Sequence, residues 1–478
     1  MNREEMLKLD KEEIVDILFA IINQQAEKIA ELEARLNQNS KNSSRPPSSD
    51  GFRKQPKSLR TSSGKKAGGQ HGHEGRGLKL MGEPDEVITH TPKECANCPN
   101  TVSCCAERKI CDTRYEVDIV IKTSTTAHQI TRVLCPMSNV VLTGSFPENI
   151  TGTMQYGVNL EALAVSLNTV GMVSVNRTHE ILSGVFGVPI STGTVSAMVS
   201  DCVQAVAGTV AEIKAALKAE PLINVDETGT RVDKQTVWAH TASTPDLTYI
   251  EIHESRGKTG MDAIGILLVF LGTVIHDCWA PYFNYNTVRH GLCNAHLLRE
   301  LTAVWENTKQ KWAQELIELL LEIKGVKEKL SEENSIQNPL LYYLEHLEKF
   351  KSAYDKILAE ALLENPVPMR EEGQRGKLKR GKTGALIDRL ILHKDKYLLF
   401  FTDFSVPFDN NQAERDIRMF KVKQKVSGCF RTMQGAKDFA AVTSFVSTAK
   451  KRGIPGFQAI KDALMENPFS VNPCVATE

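Results

Sequence analysis

Two apolar runs in this chain each finish on an aspartate: Leu222-Ile223-Asn224-Val225-Asp226 and Thr273-Val274-Ile275-His276-Asp277. Such runs predict short buried strands. A carboxylate at the end of a buried strand loses water, which is costly unless a cation sits against it. Two such acids on neighbouring strands also repel each other. A divalent ion between them removes both costs, and oxygen-only ligands with retained water suit Mg²⁺ or Mn²⁺. Two isolated aspartates at strand ends are also ordinary turn residues, and spacing alone leaves both readings open.

A third acid lies in Asp409-Asn410-Asn411-Gln412-Ala413-Glu414-Arg415-Asp416-Ile417-Arg418-Met419-Phe420-Lys421. Ala413, Ile417 and Phe420 step by four and three, which predicts a helix with one stripe packed inward. Glu414, Arg418, Lys421 and Lys425 form the adjacent stripe, with Arg415 beside it. A carboxylate next to a row of cations places a metal ligand near groups able to hold phosphates. Glu414 with Arg418 is also a common i,i+4 helix pair. Glu227 is a rival acid, but strand alternation points it away from Asp226, so it ranks second. Arg256 and Lys258 follow a strand, and are read either as DNA-backbone contacts or as a solvated turn.

At 478 residues the chain is too long for one ordinary domain. Strands are expected at Leu222–Val225, Thr236–Thr241 and Leu247–Ile252, with a helix end and strand over Ile266–Ile275. A long helical stretch follows from about 296 to 363, then a basic loop at Arg370–Lys382 and helices from about 409 to 465. Strands first and helices later imply an α/β or α+β architecture. Upstream, Leu18, Ile22, Gln25, Ile29, Leu32 and Leu36 alternate steps of four and three. That is a coiled-coil seam, suited to self-association or to packing within its own domain. Residues 39–82 are rich in Ser, Gly, Pro and Lys/Arg and hold too little apolar surface to fold alone. Leu160, Leu163, Ala164 and Leu167 repeat at helical spacing. Further on, a helix, Gly187 and a helix capped by Ser191 suggest a helix-turn-helix, though ordinary helix packing gives the same pattern.

Formal net charge is zero. The distribution nevertheless favours a polyanionic partner: residues 41–80 hold ten Lys/Arg against two Asp/Glu, and residues 411–431 hold six against two. The longest apolar run, Ala263 to Ile275, is 13 residues, short of the ~20 a membrane helix needs. No signal-peptide core opens the chain, so a cytoplasmic protein without a membrane partner is expected. Its eleven cysteines then read as thiols or metal ligands. Alternation in Tyr115–Ile121 and in Ile130–Leu134 suggests strands around the cysteine cluster. Cys95-x₂-Cys98 is half of a zinc site. His290, Cys293 and His296 spread over more than half a helical turn, so a packing or substrate-side role is preferred to a metal. His276 reads as a core or hydrogen-bonding histidine.

Several stretches together resemble the DDE transposases of the insertion sequence 66 family of bacteria. They are Val225-Asp226-Glu227-Thr228-Gly229, His276-Asp277-Cys278-Trp279-Ala280-Pro281-Tyr282, His290–Leu301, Asn410–Arg415 and the linker text Asn42–Gly51. The likeness runs in order over nearly the whole chain. It implies an RNase H-like mixed-sheet catalytic core with Asp226 and Asp277 as strand acids, Glu414 as the helical acid, and two Mg²⁺ or Mn²⁺ ions. It also implies a second CxxC, but that place reads Cys135-Pro136-Met137-Ser138. Zn²⁺ on Cys95, Cys98 and Cys135, with Cys104, Cys105 or Cys111 as substitute, stands beside the reading of free thiols.

The implied organisation is a coiled-coil helix at 1–38, a basic linker at 39–82, a zinc-finger-like β module at 83–146 and a helix-turn-helix-like region at 147–218. The catalytic domain spans 219–440, with a helical insertion at about 297–400, and a helix and tail close the chain at 441–478. The implied partners are double-stranded DNA, as element ends and target, a second copy of the chain through the coiled coil, and small companion proteins. A catalytically inactive DNA-binding derivative and a nuclease without strand transfer are the competing readings.

Overall fold

The computed structural model describes residues 10–39, 42–43, 83–90, 110–119, 122–137, 139–331, 338–369 and 380–471. They fall into two compact units, Lys57–Thr126 and the rest of the chain. In the smaller unit the described residues hold no helix or strand. The strand expected over Tyr115–Ile121 is therefore not formed at residues 115–119. Tyr115, Val117 and Ile119 stand in solvent, and an alternating pattern builds a strand only where a partner and a buried face exist. Cys95 and Cys98, most of the basic linker and most of the loop at 370–382 lie outside the described residues.

The larger unit opens with α1 (Lys11–Leu36), started by a capping box between Asp10 and Glu13. Its seam residues Leu18, Ile22, Ile29, Leu32 and Leu36 are all exposed. A small hairpin follows, β1 (Arg132–Leu134) against β2 (Val141–Thr143), with Val133 opposite Leu142. Cys135 sits at its turn, its N–H donating to Val140 O. Among the described residues this hairpin is all the β structure in the span expected as a β-rich module.

Three helices come next: α2 (Val158–Thr169), α3 (Val175–Phe186) and α4 (Thr192–Ala219). Gly187 ends α3 in the left-handed region, φ +64°, where glycine carries no Cβ penalty. Ser191 Oγ caps α4 by accepting from Thr194 N at 3.0 Å. By length and composition α4 would cross a membrane. Its apolar residues are instead spent in two cores: Val195, Met198 and Cys202 pack with α2 and α3, and Ile213 and Leu217 pack under the sheet.

That sheet has β3 (Leu222–Val232), β4 (Gln235–Ser243), β5 (Thr248–His253), then after α5 (Lys258–Ile264) β6 (Thr273–His276) and β7 (Arg289–Leu292). The order is β5-β4-β3-β6-β7. β3, β4 and β5 pair antiparallel, whereas β6 and β7 join parallel to β3. β3 is far longer than its apolar start predicts, so Asp226 lies within the strand and not at its end. β6 accompanies β3 only over Leu222–Asn224. Beyond that point β3 pairs with β4 alone until Phe430 joins its far end at Val232, and polar residues no longer break a buried run. Its turn into β4, Asp233-Lys234, has positive φ at both positions, the hairpin geometry that suits sheet twist.

The insertion consists of α6 (Asn294–Thr308), α7 (Lys311–Ser331), α8 (Pro339–Glu364), α9 (Gly381–Leu392), α10 (Lys394–Tyr397) and α11 (Leu399–Thr402). They share a core around Trp312, Phe350, Tyr354 and Phe401 that runs on into Ile275 of β6 and Leu292 of β7. The chain then returns in α12 (Asn411–Ser427), α13 (Met433–Lys451) and α14 (Gly456–Leu464). α12 and α13 cover one face of the sheet, through Ile417, Phe420 and Phe439 against Val237, Ala239 and Ile250. The other face packs Ile223, Val225 and Val274 with α5 and the end of α4. A boundary at residue 440 would cut α13, which is one continuous helix.

Candidate active site

The acids are gathered by register. Asn224 pairs with Ile275 at the last position where the parallel strands run together, and Asp226 and Asp277, each two residues further on, lie near enough for the charge of Asp277 to act on Asp226. Asn224 and Asp226 lie on the β3 face covered by α12, whose first turn carries Glu414. Burial first, and then the charges of Glu227, Asp277 and Glu414, push the Asp226 carboxyl well above the usual carboxylate range. A donation from Glu227 N to Asp226 Oδ1, at 2.9 Å, offsets this in part. Among the described residues no Lys or Arg forms an ion pair with Asp226 or Asp277. Asp277 is held by the turn after β6, where its Oδ1 accepts from Trp279 N at 3.0 Å and Cys278 adopts φ +70°.

α12 is tied to β3 at its start. Asn410 Nδ2 donates to Val225 O at 2.8 Å and Asn410 Oδ1 accepts from Asn224 Nδ2 at 2.8 Å. Both asparagines are buried. Glu414 faces two groups from α6, His296 Nδ1 at 3.5 Å and Arg299 at 3.9 Å. Its Oε1 is buried and makes no hydrogen bond. Burial, and then Arg299, lower the His296 pKa against the opposing pull of Glu414. Cys293, which precedes α6, lies 3.3 Å from His296 Nδ1 and accepts from Asn410 N at 3.2 Å.

Glu227 points to the opposite face, as alternation requires. Its Oε1 accepts from Arg256 Nε and Nη2 at 3.0 and 2.8 Å, and its Oε2 accepts from Tyr282 Oη at 2.5 Å. Arg256 is itself sandwiched between Trp238 and Trp279, 4.9 and 4.0 Å from their rings. Both oxygens of Glu227 are thus occupied, whereas the Oε1 of Glu414 is not.

A model described as Transposase IS66 family matches residues 153–438, more than half of the chain. The chain belongs to the IS66 transposase family. The match includes all three acids, α6 and most of the helices that frame them. Residues 1–79 match a second model, a family of unknown function (DUF6444). No curated protein matches the chain.

In this IS66 family member the expected phosphate contacts divide. Arg415, Arg418 and Lys425 project from α12 into solvent. Lys421 Nζ donates to the Gly229 carbonyl, and Lys258 pairs with Asp262 at 2.5 Å. His276 is a buried core histidine, 3.1 Å from His290 Nδ1, so His290 stands apart from Cys293 and His296. Sequence reasoning assigned no role to Asn224, Asn410, Arg299 or Tyr282, because their partners are remote in the chain. The only local signal was the position of Asn410 just before a helix.

Proposed function

We propose that this chain is a DDE transposase that cuts DNA at the ends of a mobile element and joins the exposed 3′ end to target DNA. The observation that carries this reading is that the buried Asp226 carboxyl lies within reach of the charges of both Asp277 and Glu414, with no Lys or Arg among the described residues in an ion pair with either aspartate. The strand order, three antiparallel strands followed by two parallel ones, supports an RNase H-like core. The donors fit hard divalent ions: a carboxyl held above its usual range by burial and then by like charges, and a buried carboxylate oxygen left without a hydrogen bond. Two Mg²⁺ or Mn²⁺ ions held there would supply Lewis-acid activation of the attacking oxygen and neutralise charge on the leaving one.

The chain's own groups do the rest. Asn410 and Asn224 fix the Glu414 helix against the acid strand. The Asx turn at Asp277 sets that carboxylate. Arg415, Arg418 and Lys425 line the exposed side of α12 for backbone phosphates, with Lys421 at the strand edge, while Arg256 and Lys258 border the site from the opposite face. α3 and α4 offer a helix-turn-helix for double-stranded DNA. The exposed seam of α1 supports pairing of two copies, as two-ended cutting needs. Small companion proteins of the element and a cytoplasmic, DNA-associated location belong to the same proposal.

The test is a cleavage-and-joining assay on labelled DNA from the flanks of the gene, with Mg²⁺ or Mn²⁺. Wild type is expected to nick and join, and Asp277→Ala to do neither. A wild type that binds the DNA but never cuts it, companion proteins included, removes the catalytic reading. A nick without joining leaves a nuclease.

A further inference from the structure

The geometry points to a second metal site of a different chemical class, a thiophilic site of the kind that takes Zn²⁺, formed by Cys293 Sγ, His296 Nδ1 and a Glu414 oxygen. These ligand atoms all lie within 4.8 Å of one another. Sγ to Nδ1 is 3.3 Å and Nδ1 to Glu414 Oε1 is 3.5 Å. In a tetrahedral zinc site with Zn–N near 2.0 Å and Zn–S near 2.3 Å, neighbouring ligands stand about 3.3–3.6 Å apart. Two of the three spans therefore have that spacing already.

The backbone places the trio with little freedom. Cys293 is the residue before α6 and His296 lies in its first turn, so thiol and imidazole share one end of the helix. Glu414 arrives from the first turn of α12, which Asn410 locks in place. The Asn410 N–H aimed at Cys293 Sγ is the kind of outer contact that orients a thiolate ligand. Glu414 Oε1 is buried with no hydrogen bond to give up.

The rival chemistry for a thiol beside an imidazole is nucleophilic. It does not suit Cys293, which is 2% exposed and whose thiol burial pushes up to about 12; a substrate carbonyl or phosphorus does not reach it. An ion bound through the more open His296 and Glu414 would draw the thiol proton off, as metals do to coordinating cysteines. Three protein ligands leave a fourth position for water or a substrate oxygen. Glu414 would then belong to both sites.

The inference is tested without any DNA chemistry. The full chain, reduced and stripped with EDTA, is titrated with Co²⁺ in a Cys95→Ser, Cys98→Ser, Cys104→Ser, Cys105→Ser, Cys111→Ser, Cys135→Ser background, which removes the other candidate thiolate ligands. A thiolate-to-cobalt charge-transfer band in the near ultraviolet is expected, and excess Mg²⁺ should not bleach it. Adding Cys293→Ser or His296→Gln is expected to abolish the band while circular dichroism stays unchanged. If Cys293→Ser does not fold, His296→Gln decides alone, since that side chain is one-fifth exposed. Absence of the band in the background chain, or its survival in His296→Gln, overturns the site.

Discussion

The side-chain amide of Asn224 donates to the side-chain amide of Asn410 at 2.8 Å, across 186 residues of sequence. Asn410 passes the contact on to the Val225 carbonyl, the residue before Asp226. The helix bearing Glu414 is thereby indexed to the strand bearing Asp226. Replacing Asn410 with Leu leaves the Asn224 amide and the Val225 carbonyl buried without partners, at about 1–3 kcal/mol for each orphaned group. Asn410→Leu is expected to lower the melting temperature and to cut the cleavage rate at least about tenfold, because the acids lose their common frame. Thermal melts and single-turnover cleavage check this; a variant with wild-type rate would show that the pair is only structural.

Glu227 separates a supporting acid from a metal-binding one. Both of its oxygens are taken by Arg256 and Tyr282. Glu227→Gln keeps an acceptor for either and is expected to retain cleavage within about tenfold. Asp226→Asn, Asp277→Asn and Glu414→Gln are each expected to lose at least about a hundredfold. Equal loss in Glu227→Gln would move Glu227 into the metal-binding set.

Like charge and burial make Asp226 a cost to the metal-free fold. Its pKa is raised in the folded state, so the stability it contributes is full below the unfolded carboxyl pKa and is lost as pH rises through the raised value. Above the unfolded value, burying this carboxyl therefore opposes folding, whether by holding the proton or by holding the charge. Asp226→Asn should raise the melting temperature by a few degrees in EDTA. Mg²⁺ should stabilise wild type and leave the variant unmoved. A variant that melts lower than wild type in EDTA would show that the carboxylate has a stabilising partner.

The apolar starts of β3 and β6, the two helices either side of Gly187 and the α12 stripe were legible because each depends on local periodicity: a run of Leu, Ile and Val, or apolar steps of three and four; the roles of the acids came from the family resemblance instead. The length of β3 was not legible. Val225-Asp226-Glu227-Thr228-Gly229 reads as a strand running out, yet the strand continues because only one neighbour accompanies it there. Tyr115–Ile119 failed in the opposite sense, with good alternation and no strand among the described residues to pair with it. Partners such as Arg256 for Glu227, or Asn410 for Asn224, follow from tertiary register, which no window of sequence contains. The grouping of Cys293 and His296 with Glu414, and not with His290, has the same origin: a helical wheel describes one helix, and the third ligand comes from another.

Lys423 supplies the sharpest pH test. It is buried on α12, and its ammonium donates to Asn168 O at 2.7 Å and Val173 O at 3.1 Å, with no ion pair to a carboxylate among the described residues. Burial lowers its pKa from 10.5 to about 8. The unfolded chain then holds the proton more tightly than the folded one between those values. The cost of burying the charge is full below pH 8 and is relieved as pH rises towards 10.5, by about 3 kcal/mol in all. Lys423→Met removes that dependence and strands two carbonyls. The stability of wild type relative to Lys423→Met should therefore climb between pH 7.5 and about 10 in denaturant titrations, whatever its sign at neutrality. A flat difference would mean that water reaches the ammonium, and that the joint it makes between α12 and the end of α2 is looser than these contacts imply.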